Sequence, residues 1–168
     1  FIDPTKDGIR YKNRDIYNQD KISIRKTGVG IMASIDYSGA MTNQVVYNFF
    51  LRQEFRCEFF LELIIAILNS RPMYYYIIKR FGEIEWRSHP YLTMSQIREF
   101  PLPLFSNSFQ QIIDEYKPIL ASIQNMLVNN KSISKELDVK IERMISTLYN
   151  LSKNEYLSIF HALQSVEN

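Results

Sequence analysis

The spacing of apolar and polar residues divides the chain into two regimes. Lys21-Ile-Ser-Ile-Arg-Lys-Thr27 alternates, with Ile22 and Ile24 on one face and Ser23, Arg25 and Thr27 on the other. A period of two predicts a half-buried strand. Gly28-Val29-Gly30 turns the chain, and Ile31 to Ile35 predicts a second strand that pairs with the first as a hairpin. Asp36-Tyr-Ser-Gly39 marks another turn, and Asn43 to Phe50 is again rich in β-formers. From Glu58 to Asn69 the period changes to a nearly all-round apolar helix, the pattern of an element enclosed from most sides. Ser70-Arg71-Pro72 ends it, because proline suits only the first turn of a following helix. That helix is predicted over Met73 to Arg80, with Gly82 stopping it. Tyr91 to Phe100 reads as extended, and Pro101-Leu-Pro103 closes this part.

The remainder reads as helices. Phe109, Ile112, Ile113, Tyr116, Ile119, Leu120, Ile123, Met126 and Leu127 keep a three-four spacing, with Pro118 inside the stripe and a kink expected there. A turn at Asn129-Asn130-Lys131 leads to a second stripe, Leu137, Ile141, Met144, Ile145 and Leu148. So short a connection favours an antiparallel pair, expected to stand apart from the sheet-bearing part. Ser152-Lys-Asn-Glu155 has the spacing of a capping box and starts a short last helix through Leu163. The fold class predicted is α+β: a mixed β-sheet with packed helices over 1–105, then a helical tail over 106–168.

Composition narrows the classes of function. With 46% hydrophobic residues, 23% charged residues, 5 Gly and 6 Pro in 168, the chain is neither disordered nor low-complexity. A formal net charge of +2 excludes a uniformly polybasic surface. The one cysteine, Cys57, cannot form an internal disulfide, and with the distant His89 and His161 it makes no credible zinc site. The longest apolar run, Phe59 to Leu68, contains Glu62 and is half the length of a membrane span, so no membrane partner is expected. The chain opens on Phe1 without an initiator Met or signal peptide, and the expectation is a piece of a longer cytoplasmic protein.

The distribution of charge says more than its sum. Residues 1–103 hold 14 Lys and Arg against 11 Asp and Glu, whereas residues 104–168 hold 6 against 7. Arg10, Lys12, Arg14, Lys21, Arg25 and Lys26 are opposed locally only by Asp15 and Asp20. A basic binding surface would look like this, and so would a solvated strand face. Catalytic signatures are missing. Gly28-Val29-Gly30 lacks the third glycine and the following helix of a dinucleotide site. Glu115-Tyr116-Lys117 resembles the carboxylate-x-lysine of metal nucleases but falls on a predicted helix. Glu83 and Glu85 fit a solvent face, and His89 before Pro90 is a lone loop histidine. Most of the aromatic residues belong to the interior. Trp86 is the exception, set between Glu85 and the hydrogen-bonding series Arg87, Ser88 and His89.

Several segments in order resemble a known family. They are Lys21-Ile-Ser-Ile-Arg-Lys-Thr-Gly28, Met41-Thr-Asn-Gln-Val-Val-Tyr-Asn48, Leu63-Ile-Ile-Ala-Ile-Leu-Asn-Ser70 and Pro90-Tyr-Leu-Thr-Met-Ser-Gln-Ile-Arg-Glu-Phe-Pro-Leu-Pro103. The helical ending from Leu137 to Glu155 is the fifth. Together they resemble the TaqI-like C-terminal specificity domain of bacterial adenine-specific DNA methyltransferases and type II restriction-modification enzymes, with relatives in type I specificity subunits. The resemblance implies a segment that holds duplex DNA and reads its target site for a methyltransferase domain upstream in the same parent chain. It also implies that S-adenosylmethionine belongs to that domain, since neither the catalytic Asn-Pro-Pro-Tyr-type motif nor the glycine-bearing cofactor motif occurs here.

Within that frame, Lys and Arg contacts to phosphate give affinity, and polar side chains on loops give base discrimination. The candidates are Lys21, Arg25, Lys26 and Thr27 on the first strand, Thr42, Asn43 and Gln44 before the third, and Glu83, Trp86, Arg87, Ser88 and His89 in the loop after the second helix. No catalytic or metal-binding residue is expected. The alternative is a protein-interaction module that docks a partner subunit through the helical tail.

Overall fold

The alternating segment becomes the central strand of the sheet. A computed structural model describes residues 14–28, 30–82, 91–103 and 109–167. A single helical turn, α1 (Arg14–Tyr17), leads into β1 (Lys21–Arg25). β1 pairs antiparallel with β2 (Ala33–Asp36) on one side and with β3 (Val46–Phe50) on the other, giving the order β2-β1-β3. Ile22 stands opposite Ile35 and Phe49, and Ile24 opposite Ala33 and Tyr47. Ile22, Ile24 and Ile35 are buried, as the period of two requires.

A one-turn 3-10 helix, Gln53–Phe55, precedes α2 (Phe60–Leu68), in which every residue is buried. The sheet covers one side of α2, and helices from the second half of the chain cover the others. Ser70 joins α2 to α3 (Arg71–Phe81): its Oγ donates to the Ile67 carbonyl (2.7 Å) and accepts from the Met73 N–H (3.3 Å). Pro72 sits in the first turn of α3, where its missing N–H costs nothing, and Gly82 closes the helix with φ 95°.

The stretch expected to be extended from Tyr91 to Phe100 instead holds a short helix at its centre. α4 (Met94–Arg98) starts at a capping box in which Thr93 Oγ1 accepts from the Gln96 N–H and Gln96 Oε1 accepts from the Thr93 N–H. Only Tyr91 pairs as a strand would, in an antiparallel bridge with Thr27. The cap formed by Thr93 and Gln96 sets the local structure.

α5 (Phe109–Val128) runs through Pro118 as one helix and buries Ile113, Leu120 and Ile123. α6 (Lys135–Leu148) is capped by Ser134 and buries Ile141, Met144 and Ile145. α7 (Lys153–Glu167) begins at the expected capping box, with Ser152 N–H to Glu155 Oε2 at 2.7 Å and Glu155 N–H to Ser152 Oγ at 3.3 Å. It extends beyond the predicted end, and Ile159 and Leu163 pack on Ile78 of α3. These helices do not stand apart from the sheet-bearing part. α5 and α6 both pack on α2, and their apolar residues share one core with Ile22 and Ile24. The architecture is α+β.

A half-buried polar cluster around the buried Glu142 fastens the later helices to α3. The Arg71 guanidinium pairs with Asp138 at 2.8 Å and Glu142 at 3.2 Å, the Arg71 backbone N–H donates to Glu142, and the Tyr156 hydroxyl donates to the other Glu142 oxygen at 3.0 Å. Burial raises the Glu142 carboxyl above its ordinary value, against the opposing hydrogen bond and charge of Arg71.

Two outcomes follow. Ile141→Asp places an unpaired charge in the core and should cost about 3 kcal/mol or more, measured by urea unfolding; an unchanged midpoint would mean that α6 turns another face inward. Glu142 faces Arg71, Asp138 and Tyr156, and with its pKa raised the native state holds a proton that the unfolded state has released. Its contribution to stability is therefore complete below the unfolded value of about 4.5 and is lost as pH rises through the folded value. Glu142→Gln should remove this part of the pH dependence of the melting temperature.

Candidate nucleic-acid interface

β1 delivers two of the three sequence-predicted groups to one place. At its end, the Lys26 N–H bonds to the Val45 carbonyl (2.9 Å) and the Lys26 carbonyl accepts from the Leu92 N–H (2.7 Å). The segment 25–27 is thus clamped between the turn before β3 and the chain entering α4. Arg25 is exposed, and its guanidinium lies over Gly28, where a Cβ would collide with it. Gly28 also has φ 107°, a conformation that side-chain-bearing residues avoid. Lys26 is half-buried, with its ammonium 4.2 Å from the centre of the Tyr47 ring, a cation–π contact that holds the charge in one position. Thr27 is exposed beside Tyr91.

The turn before β3 is ordered by its own side chains. Asn43 Oδ1 accepts from the Val45 N–H (3.1 Å), and the Asn43 carbonyl accepts from the Val46 N–H (3.2 Å). Asparagine favours this local bond, which makes it a turn residue. Thr42 Oγ1 accepts from Asn48 Nδ2 (2.7 Å), and Asn48 Oδ1 in turn accepts from the Ser23 hydroxyl (2.9 Å). Asn43 and Gln44 are exposed. The segments that carry Arg25, Lys26 and Thr27 and Thr42, Asn43 and Gln44 therefore meet, backbone to backbone, at the end of β1.

Lys21 requires a correction. Expected as a phosphate contact, it is fully buried (0% exposed), with its ammonium 2.6 Å from Asp36 Oδ2 and donating to the Tyr17 carbonyl at 3.0 Å. β1 and β2 place Lys21 directly opposite Asp36, so the charge is spent within the sheet. Burial opposes ionisation of Asp36, but hydrogen bonds from Lys21 and Ser38 outweigh it and hold the carboxyl below its ordinary value. Glu83, Trp86, Arg87, Ser88 and His89 lie outside the described residues. Tyr47 and Tyr91, which sequence reasoning did not single out, join the same surface; burial first, then the neighbouring Tyr91 phenol, raises the Tyr47 hydroxyl above its ordinary range.

Elsewhere, Lys117 of the Glu115-Tyr-Lys117 triplet pairs with Glu58 at 2.9 Å on the side of α5, which is no metal-nuclease arrangement. Among the described residues no group of three His, Cys, Asp or Glu side chains comes together to hold a metal ion, and no helix is long and apolar enough to cross a membrane. Gly28 and Gly30 join two antiparallel strands and not a strand to a helix, which is a hairpin connection and not the arrangement of a dinucleotide site.

Residues 1–102 match the TaqI-like C-terminal specificity domain, and the chain belongs to this family. The family has its role in target recognition within DNA methyltransferase and restriction systems. No curated protein and no solved structure matches the chain.

Because Lys21 is buried, Asp36→Asn should destabilise the protein by about 3–5 kcal/mol, the cost of stranding its partner's charge. The Asp36 contribution is present above the unfolded value of about 3.8 and is lost as pH falls through the depressed folded value. Acid unfolding of the wild type and the variant, followed by circular dichroism, should converge at low pH; a constant gap down to the most acidic point would refute the pairing.

Proposed function

We propose that this chain is the DNA-binding, target-recognition segment of an adenine-specific DNA methyltransferase or type II restriction-modification enzyme of bacterial, cytoplasmic origin. In this reading Arg25, Lys26, Thr27, Thr42, Asn43 and Gln44 lie against the duplex, and Glu83, Trp86, Arg87, Ser88 and His89 are assigned to the same surface on their chemistry. Arg25 and Lys26 supply phosphate contacts; Asn43 and Gln44 supply amide groups of the kind that grip adenine with two hydrogen bonds. A methyltransferase domain in the parent chain binds S-adenosylmethionine and performs the chemistry, so that this segment alone binds no cofactor and turns nothing over.

The observation that carries the reading is the meeting, at the end of one clamped strand, of two polar clusters separated by fourteen positions in a specificity-domain family. Preorganised donors lose less freedom on binding than donors on loose loops. A second reading, docking of a partner subunit through the helical tail, has one observation in its favour. Val139 and Leu157 stand exposed in a groove of about 820 Å³ between α6 and α7.

A salt titration of duplex binding by fluorescence anisotropy separates the two. Recognition of DNA predicts affinity that falls steeply with salt, and Arg25→Ala should weaken binding on every duplex alike and lower the salt slope by about one. Arg25→Lys, which keeps the charge, should restore the slope. Absence of salt-dependent binding would sink the DNA reading. Methyl transfer from S-adenosylmethionine by the chain alone would overturn the division of labour.

A further inference from the structure

The register of the sheet gathers a second set of polar groups, beside those of the turn before β3. Ile22 and Ile24 turn into the core, so Ser23 and Arg25 stand on the opposite face of β1. Ser23 lies directly across from Ser34 of β2 and from Asn48 of β3, which puts hydroxyl, hydroxyl and amide in one row over the sheet. Ser34 is exposed, as is Arg25, next along β1 on that face, and Asn48 is half-buried. The Asn48 amide is the fixed member of the row. Its Oδ1 accepts from the Ser23 hydroxyl at 2.9 Å, and its Nδ2 donates to Thr42 Oγ1 at 2.7 Å. A side-chain amide has two acceptor lone pairs and two N–H donors, so each bond uses half of what its atom offers. Among the described residues, one acceptor position and one N–H of Asn48 remain, on an amide whose orientation is set from both ends.

An acceptor and a donor side by side on one amide match the adenine edge in the major groove, where N6 donates and N7 accepts. That groove also admits a two-stranded β-ribbon, and β1 and β3, which carry Ser23 and Asn48, form one. We propose that the outer face of this ribbon enters the major groove and that Asn48 is a specificity-determining residue that grips an adenine with two hydrogen bonds. This rests on the DNA-recognition reading, extends the base-reading surface from the turn onto the strands, and commits it to one base. Ser23 and Thr42 are positioning residues, which hold the amide in place before DNA arrives and so lower the cost of ordering it. Arg25, further along the same face, supplies the phosphate contact beside it.

The test selects binding sites for the whole chain from duplexes with a randomised core, then replaces each adenine of the selected site in turn by 7-deazaadenine, which lacks the N7 acceptor. Wild type should lose about ten-fold in affinity at one position. Asn48→Asp keeps both internal hydrogen bonds, since a carboxylate accepts from Ser23 and from a reversed Thr42 hydroxyl, but it has no N–H to give. It should lose the sensitivity to 7-deazaadenine and exchange adenine for cytosine at that position, because a carboxylate accepts from the cytosine amine. Preference is read as a ratio between duplexes, so the added charge cancels. Thr42→Val, which frees the amide without altering Asn48, should lower the adenine preference about three-fold and decides the matter if the aspartate variant does not fold, as circular dichroism reports. The proposal is overturned if no replacement affects wild type, if the selected site has no adenine, or if the folded variants keep the wild-type preference. A wild type that selects no sequence and shows no salt dependence would instead bring down the DNA-recognition reading, and this proposal with it.

Discussion

The enclosure of α2 is the constraint on which the rest of the structure depends. A helix with nine consecutive buried residues cannot leave any side to solvent, so the sheet, α3, α5 and α6 must all be present around it. The later helices are for this reason part of the core and not an appendage. Removal of α5 or α6 would expose Leu63, Ile67 and their neighbours, large apolar surface that water strongly disfavours. Burial on every side also leaves Glu62 with nowhere to hydrate. The protein answers with donors from two distant elements, the Tyr37 hydroxyl at 2.5 Å and Gln124 Nε2 at 2.9 Å. A buried carboxylate held from both the sheet side and α5 fixes how these elements sit around the helix, since displacement of either would leave a polar group unpaired.

The same logic recurs at the periphery of the core. Lys21 and Asp36 face each other across two strands, and Arg71, Asp138, Glu142 and Tyr156 meet across three helices. Replacement of such groups by well-packed apolar residues can be neutral for stability, so their value lies elsewhere. Each fixes a register: β1 against β2 in one case, α3 against α6 and α7 in the other.

Much of the fold was legible because it depends on short-range chemistry. The alternation at 21–27, the all-round apolar run ending at Leu68, the serine and proline at 70 and 72, and the Ser152–Glu155 box each point to one local structure. Tyr91 to Phe100 misled because its residue types do not separate an extended stretch from a short capped helix, and only the closure of Thr93 on Gln96 decides between them. The candidate site was legible in part. Arg25 to Thr27 and Thr42 to Gln44 were visible as polar clusters, but their adjacency depends on strand pairing. Lys21 was misjudged for a related reason: one residue of sequence cannot reveal what stands opposite it, and Asp36 does. Tyr91 gave no signal, since an exposed tyrosine and a buried one look alike until Leu92 is seen to anchor the chain beside it.

The clamped end of β1 has an evolutionary consequence. Arg25, Thr27 and Gln44 project from positions whose backbone is held by main-chain hydrogen bonds and by the buried neighbours Ile24 and Leu92. Exchange of their side chains leaves the core packing and most of those bonds untouched, so substitutions there carry little penalty in folding free energy. Such a rim can explore new chemistry while the scaffold remains under strict selection. Divergence between related chains should accordingly gather at this rim and at the turn feeding β3, and the interior of α2 should change least.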